Sequence, residues 1–331
     1  MRAPAFWWRP GTGGLLTPLS ALYGVVAGLR MRMQGKRATL PVICLGNLTV
    51  GGSGKTPAAL AVAHLLHAAH ERPFFLSRGY GGKLAGPVRV NPALHHAADV
   101  GDEPLLLARL APTVVARDRP AGAKFAQSAG ASVIVMDDGF QNPSLTKNLA
   151  ILVVDGRRGI GNGRIIPAGP LRAPLDIQLD RAQALMVVGP PDGAAAVIED
   201  AGRRGLAIFH ARLEPDPQVL AAIGRRRVLA FAGIGDPERL FATLTAAGVD
   251  VAQRAAYPDH HRYTAAEARD LMTRAQAGNF MLVTTEKDLA RLSGDAQVTE
   301  LAARSSALPV RLKIEEADQF GELLRKVLKR G

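Results

Sequence analysis

The chain has few cysteines and few aromatic residues. Its 331 residues include one cysteine, Cys44, which excludes an internal disulfide framework and a zinc site built from several cysteines. Cys44 lies within the apolar run 42–45, so we expect a buried thiol in a protein of the reducing cytoplasm. Aromatic residues make up 5% of the chain, which argues against a surface on which nucleic-acid bases stack.

Acidic residues are also fewer than basic ones. The sequence has 29 Asp and Glu against 41 Lys and Arg, a formal net charge of +12. Such an excess favours anionic partners, namely nucleotides, nucleic acid or an anionic membrane surface. Hydrophobic residues reach 47% and charged residues 21%, which excludes a disordered chain and a collagen-like repeat. The length suggests two domains.

A long uncharged segment lies near the N-terminus. Residues 10–29 carry no charge, and basic residues lie on both sides of them, at Arg9, Arg30, Arg32, Lys36 and Arg37. Large side chains fall at helical spacing on one stripe, at Leu15, Leu19, Leu22, Tyr23, Val26 and Met33, just after the aromatic residues Phe6, Trp7 and Trp8. An apolar helix with aromatic and cationic ends suits a membrane–water interface, so we expect this helix to associate with a membrane surface.

Three other interpretations of this segment remain open. A secretory signal peptide needs a cleavage site of small residues, and none follows cleanly. A transmembrane span is weakened by the proline and glycines of the segment, which are Gly13, Gly14, Pro18, Gly24 and Gly28. The helix could also pack its apolar stripe on the protein's own core.

Beyond residue 40, short β-branched runs alternate with helical ones. We predict strands at 42–45, 74–76, 113–116, 133–136, 151–154, 184–188, 207–211, 228–232, 280–284 and 310–314. We predict helices at 58–69, 105–110, 121–129, 237–247, 265–277 and 319–328. The alternation predicts an α/β fold, with a mostly parallel sheet flanked by helices and a second, smaller α/β domain. A loop rich in Gly, Pro and Arg over 156–174 is long enough to be functional or disordered.

A glycine-rich loop separates a predicted strand from a predicted helix. Its residues are Thr49, Val50, Gly51, Gly52, Ser53, Gly54, Lys55 and Thr56. Glycine lets successive backbone N–H groups face a phosphate, and the start of the helix adds its positive dipole end. In such a P-loop, Lys55 reaches the β- and γ-phosphates and Thr56 offers its hydroxyl to Mg²⁺. Thr49 stands where the general motif has glycine, but the context predicts nucleotide binding and a P-loop NTPase-like core.

Two pairs of carboxylates follow. Asp137 and Asp138 come directly after an apolar run, where a magnesium-holding carboxylate is expected at the end of a strand; an ordinary Asp-Gly turn is the alternative. Asp102 and Glu103 precede a predicted helix, where capping alone could explain Asp102.

Arginines and histidines supply further candidates. Arg78, Arg117 and Arg119 each come just after a predicted strand and suit forked contacts with phosphate oxygens, although solvation at the surface would explain any one of them. His260 and His261 suggest a metal, but no third nitrogen or sulfur ligand is obvious nearby, so general acid–base work explains them at least as well.

Together these motifs resemble those of the tetraacyldisaccharide 4′-kinases, the lipid A 4′-kinases of bacteria with an outer membrane. The resemblance extends from the N-terminal helix to about residue 290. Its seven motifs, in order, are GNLTVGGSGKTP at 46–57, SRGYG at 77–81, VGDEP at 100–104, MDDGFQ at 136–141, PAGPLR at 167–172, DH at 259–260 and TTEKD at 284–288.

The resemblance implies a kinase at the cytoplasmic face of the inner membrane that moves the γ-phosphate of ATP, with Mg²⁺, to the 4′-hydroxyl of a tetraacyldisaccharide 1-phosphate in lipid A biosynthesis. Nucleic acid is not an expected partner. The domains expected along the chain are a membrane-associating helix over 1–37, a P-loop kinase core over 38–200 and a smaller α/β domain over 201–331 that contributes His260, with the boundary between the last two somewhere between about 180 and 225. Whether the chain returns to the core at its end is left open.

The resemblance also implies roles for residues. Asp102 is the general base, His260 orients it or raises its basicity, and Lys55 binds phosphate. The positions associated with magnesium are Thr56, Glu103, Asp137 and Asp138. The candidates for contacts with nucleotide or lipid phosphates are Arg78, Arg117, Arg119 and Arg172. Ala173 departs from the family, which usually has Glu there, so another ligand or a water would take that place.

Two rival functions are weighed. A membrane-associated P-loop ATPase or GTPase switch would need no lipid acceptor, but the segment 285–288 is only a partial echo of the guanine-recognition motif Asn-Lys-x-Asp. A basic nucleic-acid binder would explain the charge, but neither the apolar N-terminus nor the acidic pairs.

Overall fold

The computed structural model of the chain describes residues 4–293 and 295–329. The strands of this part, in chain order, are β1 Val42–Gly46, β2 Pro73–Ser77, β3 Val88–Arg89, β4 Thr113–Val115, β5 Val133–Asp137, β6 Leu149–Asp155, β7 Ala184–Val188, β8 Ala207–Pro215, β9 Val228–Ala232, β10 Val251–Ala256, β11 Met281–Thr285, β12 Ser305–Leu308 and β13 Val310–Ile314. The α-helices are α1 Thr17–Arg32, α2 Lys55–Ala68, α3 Ala97–Val100, α4 Asp102–Leu107, α5 Arg119–Ser128, α6 Leu175–Asp180, α7 Ala195–Arg203, α8 Pro217–Ile223, α9 Pro237–Ala246, α10 Ala265–Gly278, α11 Glu286–Arg291, α12 Ala296–Arg304 and α13 Ala317–Leu328. Short 3₁₀ helices lie at Ala5–Trp8, Gly14–Leu16 and Asp192–Ala194.

Among the described residues, the strands form two sheets. The large sheet has the order β13-β8-β7-β6-β1-β5-β2-β4-β3, and its pairs are parallel except at the two edges, where β13 and β3 run antiparallel to their neighbours. The small sheet has the order β10-β9-β11-β12 and is parallel throughout. The predicted α/β class and the mostly parallel sheet are confirmed.

Both faces of the large sheet are covered by helices. Side chains of α1, α5, α6 and α7 pack on one face, and side chains of α2, α4 and α13 pack on the other. A parallel strand covered on both faces needs apolar side chains at every position, which is why β1, β5 and β7 read as continuous hydrophobic runs. Cys44 lies in this core, fully buried as predicted, and burial raises the pKa of its thiol to about 11.

The chain passes between the two sheets twice. It leaves the large sheet after β8 and returns to it at β13, and the two crossing segments meet where the Asp216 backbone N–H donates to the Pro309 carbonyl at 2.9 Å. The hydrogen bonding therefore places β8 and β13 in the large sheet. The division of the chain at residue 200 into independent domains stays a prediction.

All ten predicted strands are present, with ends shifted by up to four residues. The sequence analysis missed β3, β10 and β12, which are short or only partly buried and lack a strong apolar pattern. It also missed several short helices, among them α6, α8 and α11. The predicted loop over 156–174 contains no helix or strand among the described residues, as expected.

The N-terminal helix packs by its small residues. Its buried positions are Ser20, Gly24, Gly28 and Met31, which recur at helical spacing. A Cβ atom on Gly24 would lie 2.8 Å from Ile165 Cδ1, so with glycine there the Ile165 side chain can pack directly against the helix. The predicted apolar stripe lies on the outside, with Leu15, Leu19, Leu22, Tyr23, Val26 and Met33 all exposed. The alternative in which this stripe packs on the protein's own core is therefore wrong.

By length and composition, the segment Gly14–Arg32 is the one described helix that could cross a membrane. Its small-residue face is occupied by the strap, the name used here for residues 164–174. Ser20 Oγ donates a hydrogen bond of 2.6 Å to the carbonyl of Ile165 in that strap.

A backbone constraint places the first carboxylate pair. Gly101 has a φ of 89°, in the left-handed region, directly before α4 begins with Asp102 and Glu103. A Cβ atom on Gly101 would lie 2.5 Å from the Tyr80 carbonyl oxygen, so any larger residue forces α4 and the loop after β2 apart.

We predict that Gly101→Ala lowers the free energy of unfolding by about 1–3 kcal/mol, because the backbone strain adds to the collision with Tyr80. Urea denaturation measures the change. Gly202→Ala is the matched control, since Gly202 lies within α7 and a Cβ atom added there would meet nothing within 4 Å. Alanine at that position should leave stability unchanged or raise it. Equal effects of the two substitutions would contradict the constraint.

Candidate active site

The P-loop connects β1 to α2 at the carboxyl edge of the large sheet. Asn47 is buried, and its Nδ2 donates to the carbonyls of Thr49 at 2.5 Å and Gly51 at 3.2 Å. The Val50 backbone N–H donates to the Pro170 carbonyl of the strap at 2.9 Å. The loop is thus held from within by an amide side chain and from outside by the strap, and its last residues lead into the N-terminus of α2, where anions bind.

Lys55, the first residue of α2, contacts the second carboxylate pair. Its Nζ lies 3.8 Å from Asp138 Oδ1, and Arg172 Nη1 donates to the same oxygen at 2.7 Å. Burial would raise the pKa of Asp138, but the charges of Lys55 and Arg172 outweigh it and lower that pKa to about 2. Asp138 is therefore anionic at neutral pH and shared between two cations.

Asp137 differs from its neighbour. It ends β5, is 1% exposed, and its Oδ1 has no hydrogen-bond partner among the described residues. Burial, together with the nearby charge of Glu103, raises the pKa of Asp137 to about 7. A buried carboxylate oxygen without a donor is costly, so this position is suited to a cation.

Glu103 is the third carboxylate near the P-loop. Its Oε1 accepts a hydrogen bond from Lys287 Nζ at 2.7 Å and lies 3.4 Å from the Thr56 hydroxyl. Burial would raise the pKa of Glu103, but the charge of Lys287 dominates and lowers it. Thr56, Glu103, Asp137 and Asp138 thus lie near one another at this edge of the sheet.

Hard divalent cations prefer such oxygen ligands, and Mg²⁺ is usually held by one or two carboxylates together with water and substrate phosphates. Within 4–293 and 295–329, no three His, Cys, Asp or Glu side chains are close enough to hold a metal ion by themselves. The donor set therefore fits a magnesium ion that shares its ligands with a nucleotide better than it fits an ion bound by the protein alone.

Asp102 is fixed by a buried arginine that the sequence analysis did not identify. Arg291 Nε donates to Asp102 Oδ2 at 2.8 Å, and Nη2 of the same guanidinium donates to the same oxygen. Arg291 Nη1 donates to the Gly233 carbonyl at 2.6 Å and to Asp288 Oδ1 at 3.0 Å. Both side chains are almost fully buried, at 4% exposure for Arg291 and 6% for Asp102.

Asp288 anchors that arginine. Its Oδ1 accepts hydrogen bonds from the Gly233 backbone N–H at 2.9 Å and from the Tyr263 hydroxyl at 3.0 Å, and its Oδ2 accepts one from Thr285 Oγ1 at 2.6 Å. Asp288 is fully buried. Every donor around Asp288 comes from the strands of the small sheet or from the segments next to them. Asp288 therefore fixes the guanidinium group of Arg291 on that side, and Arg291 in turn binds Asp102 at the start of α4.

His260 contacts the free side of Asp102. His260 Nδ1 lies 3.4 Å from Asp102 Oδ1, and the ring packs against Tyr80 with 5.3 Å between ring centroids. His260 has a φ of 56°, so its backbone turns sharply to present the ring. The contact with Asp102 raises the pKa of His260 although burial acts against it.

The pKa of Asp102 shifts in the opposite direction to that of His260. Burial would raise the pKa of Asp102, but His260 and the charge of Arg291 outweigh it and hold that pKa well below its usual range. The pair is therefore biased toward a carboxylate next to a protonated imidazole. His261 is separate: its Nε2 lies 3.0 Å from Glu267, so the two adjacent histidines face different partners.

The four candidate arginines occupy different environments. Arg172 pairs with Asp138 beside the P-loop, as described above. Arg78 and Arg117 are exposed. Arg119 is 1% exposed, and its Nη1 donates to the Ala116 carbonyl. Ala173, where a glutamate was expected, is fully buried in the core, so no carboxylate reaches the site from that position.

The sequence analysis therefore missed Lys287, Arg291 and Tyr80 as site residues. Lys287 and Asp288 belong to the motif TTEKD, to which the sequence alone assigned no role. Arg291 follows Asp288 by three residues on α11, the spacing of an ion pair on one helix face, and this was the one signal available.

Comparison with known proteins finds relatives that share one family description. The family model LpxK, described as tetraacyldisaccharide-1-P 4′-kinase, matches residues 13–329. The chain is 54% identical over 326 residues to a tetraacyldisaccharide 4′-kinase of Bradyrhizobium sp. (strain BTAi1), covering 98% of this chain and 94% of that protein. It is 52% identical over 321 residues to the protein of the same name from Rhodopseudomonas palustris (strain BisA53), covering 97% and 94% of the two chains.

A solved structure is also similar. The crystal structure of LpxK from Aquifex aeolicus in complex with ATP matches with a TM-score of 0.73 and 28% sequence identity, covering 96% of this chain and 99% of that one. The similarity therefore includes both sheets and the N-terminal helix.

We predict that Asp102→Asn lowers the pKa of His260, because the substitution removes the contact that raises it and leaves the positive charge of Arg291 nearby. The His260 ring resonance, assigned with His260→Gln, can be followed by NMR during a pH titration. Glu267→Gln, which changes the partner of His261 and not that of His260, is the control and should leave the pKa of His260 unchanged. An unchanged His260 pKa in Asp102→Asn would mean that the two side chains do not interact in solution.

Proposed function

The chain belongs to the tetraacyldisaccharide-1-P 4′-kinase family, and from that premise we propose how its residues carry out the reaction. The protein is an ATP-dependent kinase that transfers the γ-phosphate to the 4′-hydroxyl of a tetraacyldisaccharide 1-phosphate in lipid A biosynthesis. The observation that carries the residue assignment is the convergence of the P-loop, the two carboxylate pairs and His260 at one edge of the large sheet.

The P-loop, residues 49–56, binds the phosphates of ATP. Successive N–H groups and the N-terminus of α2 surround the position of the phosphates, and Lys55 supplies a mobile cation. Its present contact with Asp138 is long, at 3.8 Å, so the ammonium group can turn toward a phosphate at little cost. Arg172 keeps Asp138 neutralised when Lys55 does so.

Thr56, Glu103, Asp137 and Asp138 would hold Mg²⁺. The unpartnered Oδ1 of Asp137 supports this assignment, because a buried carboxylate oxygen needs a positive partner. When bound, the ion would neutralise charge that develops on the transferring phosphoryl group.

Asp102 is the general base and His260 its partner. A sugar hydroxyl is a weak acid, so a base within hydrogen-bond reach must accept its proton during attack. Arg291 occupies Asp102 Oδ2, which leaves Oδ1, the oxygen next to His260, as the acceptor. When the His260 ring is neutral, Asp102 Oδ1 accepts the hydroxyl proton and passes it to His260 Nδ1, which leaves a carboxylate beside an imidazolium. The pair thereby gains one proton and titrates as one unit.

The arginines serve different steps. Arg172 lies closest to the P-loop residues and supports the phosphate positions, while the exposed Arg78 and Arg117 are free to contact lipid or nucleotide phosphates. Arg119 is buried, and the negative charges of Asp137 and Asp138 act on its guanidinium group.

The N-terminal helix associates with the cytoplasmic face of the inner membrane. Its exposed apolar stripe, followed by Arg30, Arg32, Lys36 and Arg37, suits insertion into the headgroup region beside the cations. A lipid acceptor that stays in the bilayer needs such a surface next to the kinase site.

The transfer reaction tests the assignment of the P-loop. We expect Lys55→Ala to abolish nearly all transfer of labelled γ-phosphate from ATP to a purified tetraacyldisaccharide 1-phosphate in mixed micelles, because the phosphates lose their cation. Lys124→Ala, at an exposed lysine on α5, is the control and should retain full activity. Near-normal turnover of Lys55→Ala would refute the role of Lys55, and label released only as inorganic phosphate would favour an ATPase without a lipid acceptor.

The paired role of Asp102 and His260 makes a separate prediction. Asp102→Ala and His260→Ala should each lower kcat by about 10²-fold or more and change the affinity for ATP by no more than a few-fold. Because the residues act as a unit, the double variant should be about as slow as the slower single one. His261→Ala should be near normal. Additive losses in the double variant would show that the two residues act independently.

A further inference from the structure

A cavity of about 600 Å³ lies at the C-terminal end of α1. It is bounded by Met31 and Met33 at the end of that helix and by the segment 140–147, which runs from the end of β5 to the start of β6. Three cationic side chains line it: Arg37, Lys147 and Arg181. In the described part of the chain, no Asp or Glu lines the cavity or lies within ion-pair distance of these three cations.

Phe140 lines the cavity and contacts the end of β1, where the P-loop begins. The ring packs so closely on the end of β1 that a Cβ atom on Gly46 would lie 2.2 Å from Phe140 Cβ. Lys147 and Gln183, on the other side of the cavity, come just before β6 and β7 begin, whereas the P-loop and Asp137 lie at the carboxyl ends of their strands. A five-residue strand spans about 16 Å, so the backbones of Arg37 and Arg181, which precede β1 and β7, lie about one strand length from the carboxyl edge of the sheet. Lys147 differs, because its Nζ reaches the Phe140 carbonyl, two residues beyond Asp138.

One of the three cations, Lys147, is held in position without being neutralised. Lys147 Nζ donates to the Phe140 carbonyl at 3.1 Å and also to the Asn142 carbonyl, so the ammonium group is fixed by neutral acceptors. Arg37 and Arg181 are exposed at the mouth. Apolar side chains, notably Phe140 and Leu145, form the remaining wall. An apolar wall next to three cations matches an anionic group that carries hydrocarbon.

The mouth of the cavity continues the exposed apolar face of α1. Met33 lines the cavity and is also the last member of the exposed stripe, at 61% exposure. A helix that lies in the membrane interface places its apolar face about 5–10 Å into the boundary between headgroups and acyl chains. Lipid phosphates then lie at the level of the cavity.

We propose that this cavity binds the phosphate headgroup of one anionic phospholipid of the bilayer, a lipid other than the substrate. The proposal rests on the membrane association of α1 proposed above. It assigns Arg37, Lys147 and Arg181 to the phosphate and Met33 and Phe140 to the glycerol and the first methylenes. The bound lipid would fix the height and orientation of the kinase on the membrane.

Vesicle co-sedimentation of the full chain tests this assignment. The vesicles are phosphatidylcholine alone or phosphatidylcholine mixed with phosphatidylglycerol, and the test variant is Arg37→Gln/Arg181→Gln. The matched control is Arg30→Gln/Arg32→Gln, which removes the same charge from exposed positions at the end of α1 that do not line the cavity. We expect the test variant to lose at least ten-fold more affinity for the anionic vesicles than the control, because the control loses only the contribution of two surface charges near the membrane.

Equal losses in the two double variants would overturn the proposal, because a diffuse surface potential would then explain the binding. If wild type binds neither kind of vesicle, membrane association fails and the proposal fails with it. If wild type binds and the cavity variant binds equally well, the proposal alone fails.

Kinetics separate the two sources of phosphate, the bilayer and the substrate. In neutral-detergent micelles without phospholipid, we expect the same KM for the lipid acceptor in wild type and in Arg37→Gln/Arg181→Gln. A raised KM there would assign the cavity to the substrate's own 1-phosphate and would overturn the proposal.

Discussion

Two adjacent carboxylates lie at the start of α4, Asp102 buried and Glu103 partly buried, and the arrangement of the site depends on how their charge is balanced. A buried pair of like charges is strongly unfavourable unless cations reach it. Both cations come from α11, where Lys287 and Arg291 lie 184 and 189 residues further along the chain. The charge requirement of α4 therefore links the small sheet to the large one, and it brings His260 beside Asp102 as a consequence.

Charge balance also explains how the site can accept a nucleotide. Three carboxylates of the site are paired with cations, Asp102 with Arg291, Glu103 with Lys287, and Asp138 with both Lys55 and Arg172. Asp137 makes no ion pair among the described residues. The pairs differ in strength: Arg291 is buried and makes several short hydrogen bonds, whereas Lys55 makes one long contact. The residues that position the base are thus fixed, and the residue that must move to the phosphates is the one least tightly held.

The features that could be predicted from the sequence are those that depend on the local pattern of residues. All ten proposed strands, the P-loop and both carboxylate pairs follow from apolar runs and from residue types at the ends of strands. Arg291 could not be found in this way, because an ion pair that spans 189 residues leaves no periodic signal near either partner. The outward orientation of the stripe on α1 could not be predicted from the sequence pattern either, since an apolar stripe alone does not show whether it faces a core or a membrane. That choice was made by the glycines on the opposite face, which fit against Ile165 and Ile177.

The strap connects α1 to the P-loop. On one side it receives the hydrogen bond from Ser20 and the small-residue face of α1. On the other side its Pro170 carbonyl accepts from Val50 in the P-loop, and its Arg172 pairs with Asp138. The helix that presents an apolar face to its surroundings is therefore bonded, through about ten residues, to the loop that binds phosphate. Because hydrogen bonds weaken steeply as their geometry departs from the ideal, a shift of α1 would move the strap or break the bond from Ser20. One short segment, the strap, therefore determines both the position of the P-loop and the position of the apolar helix.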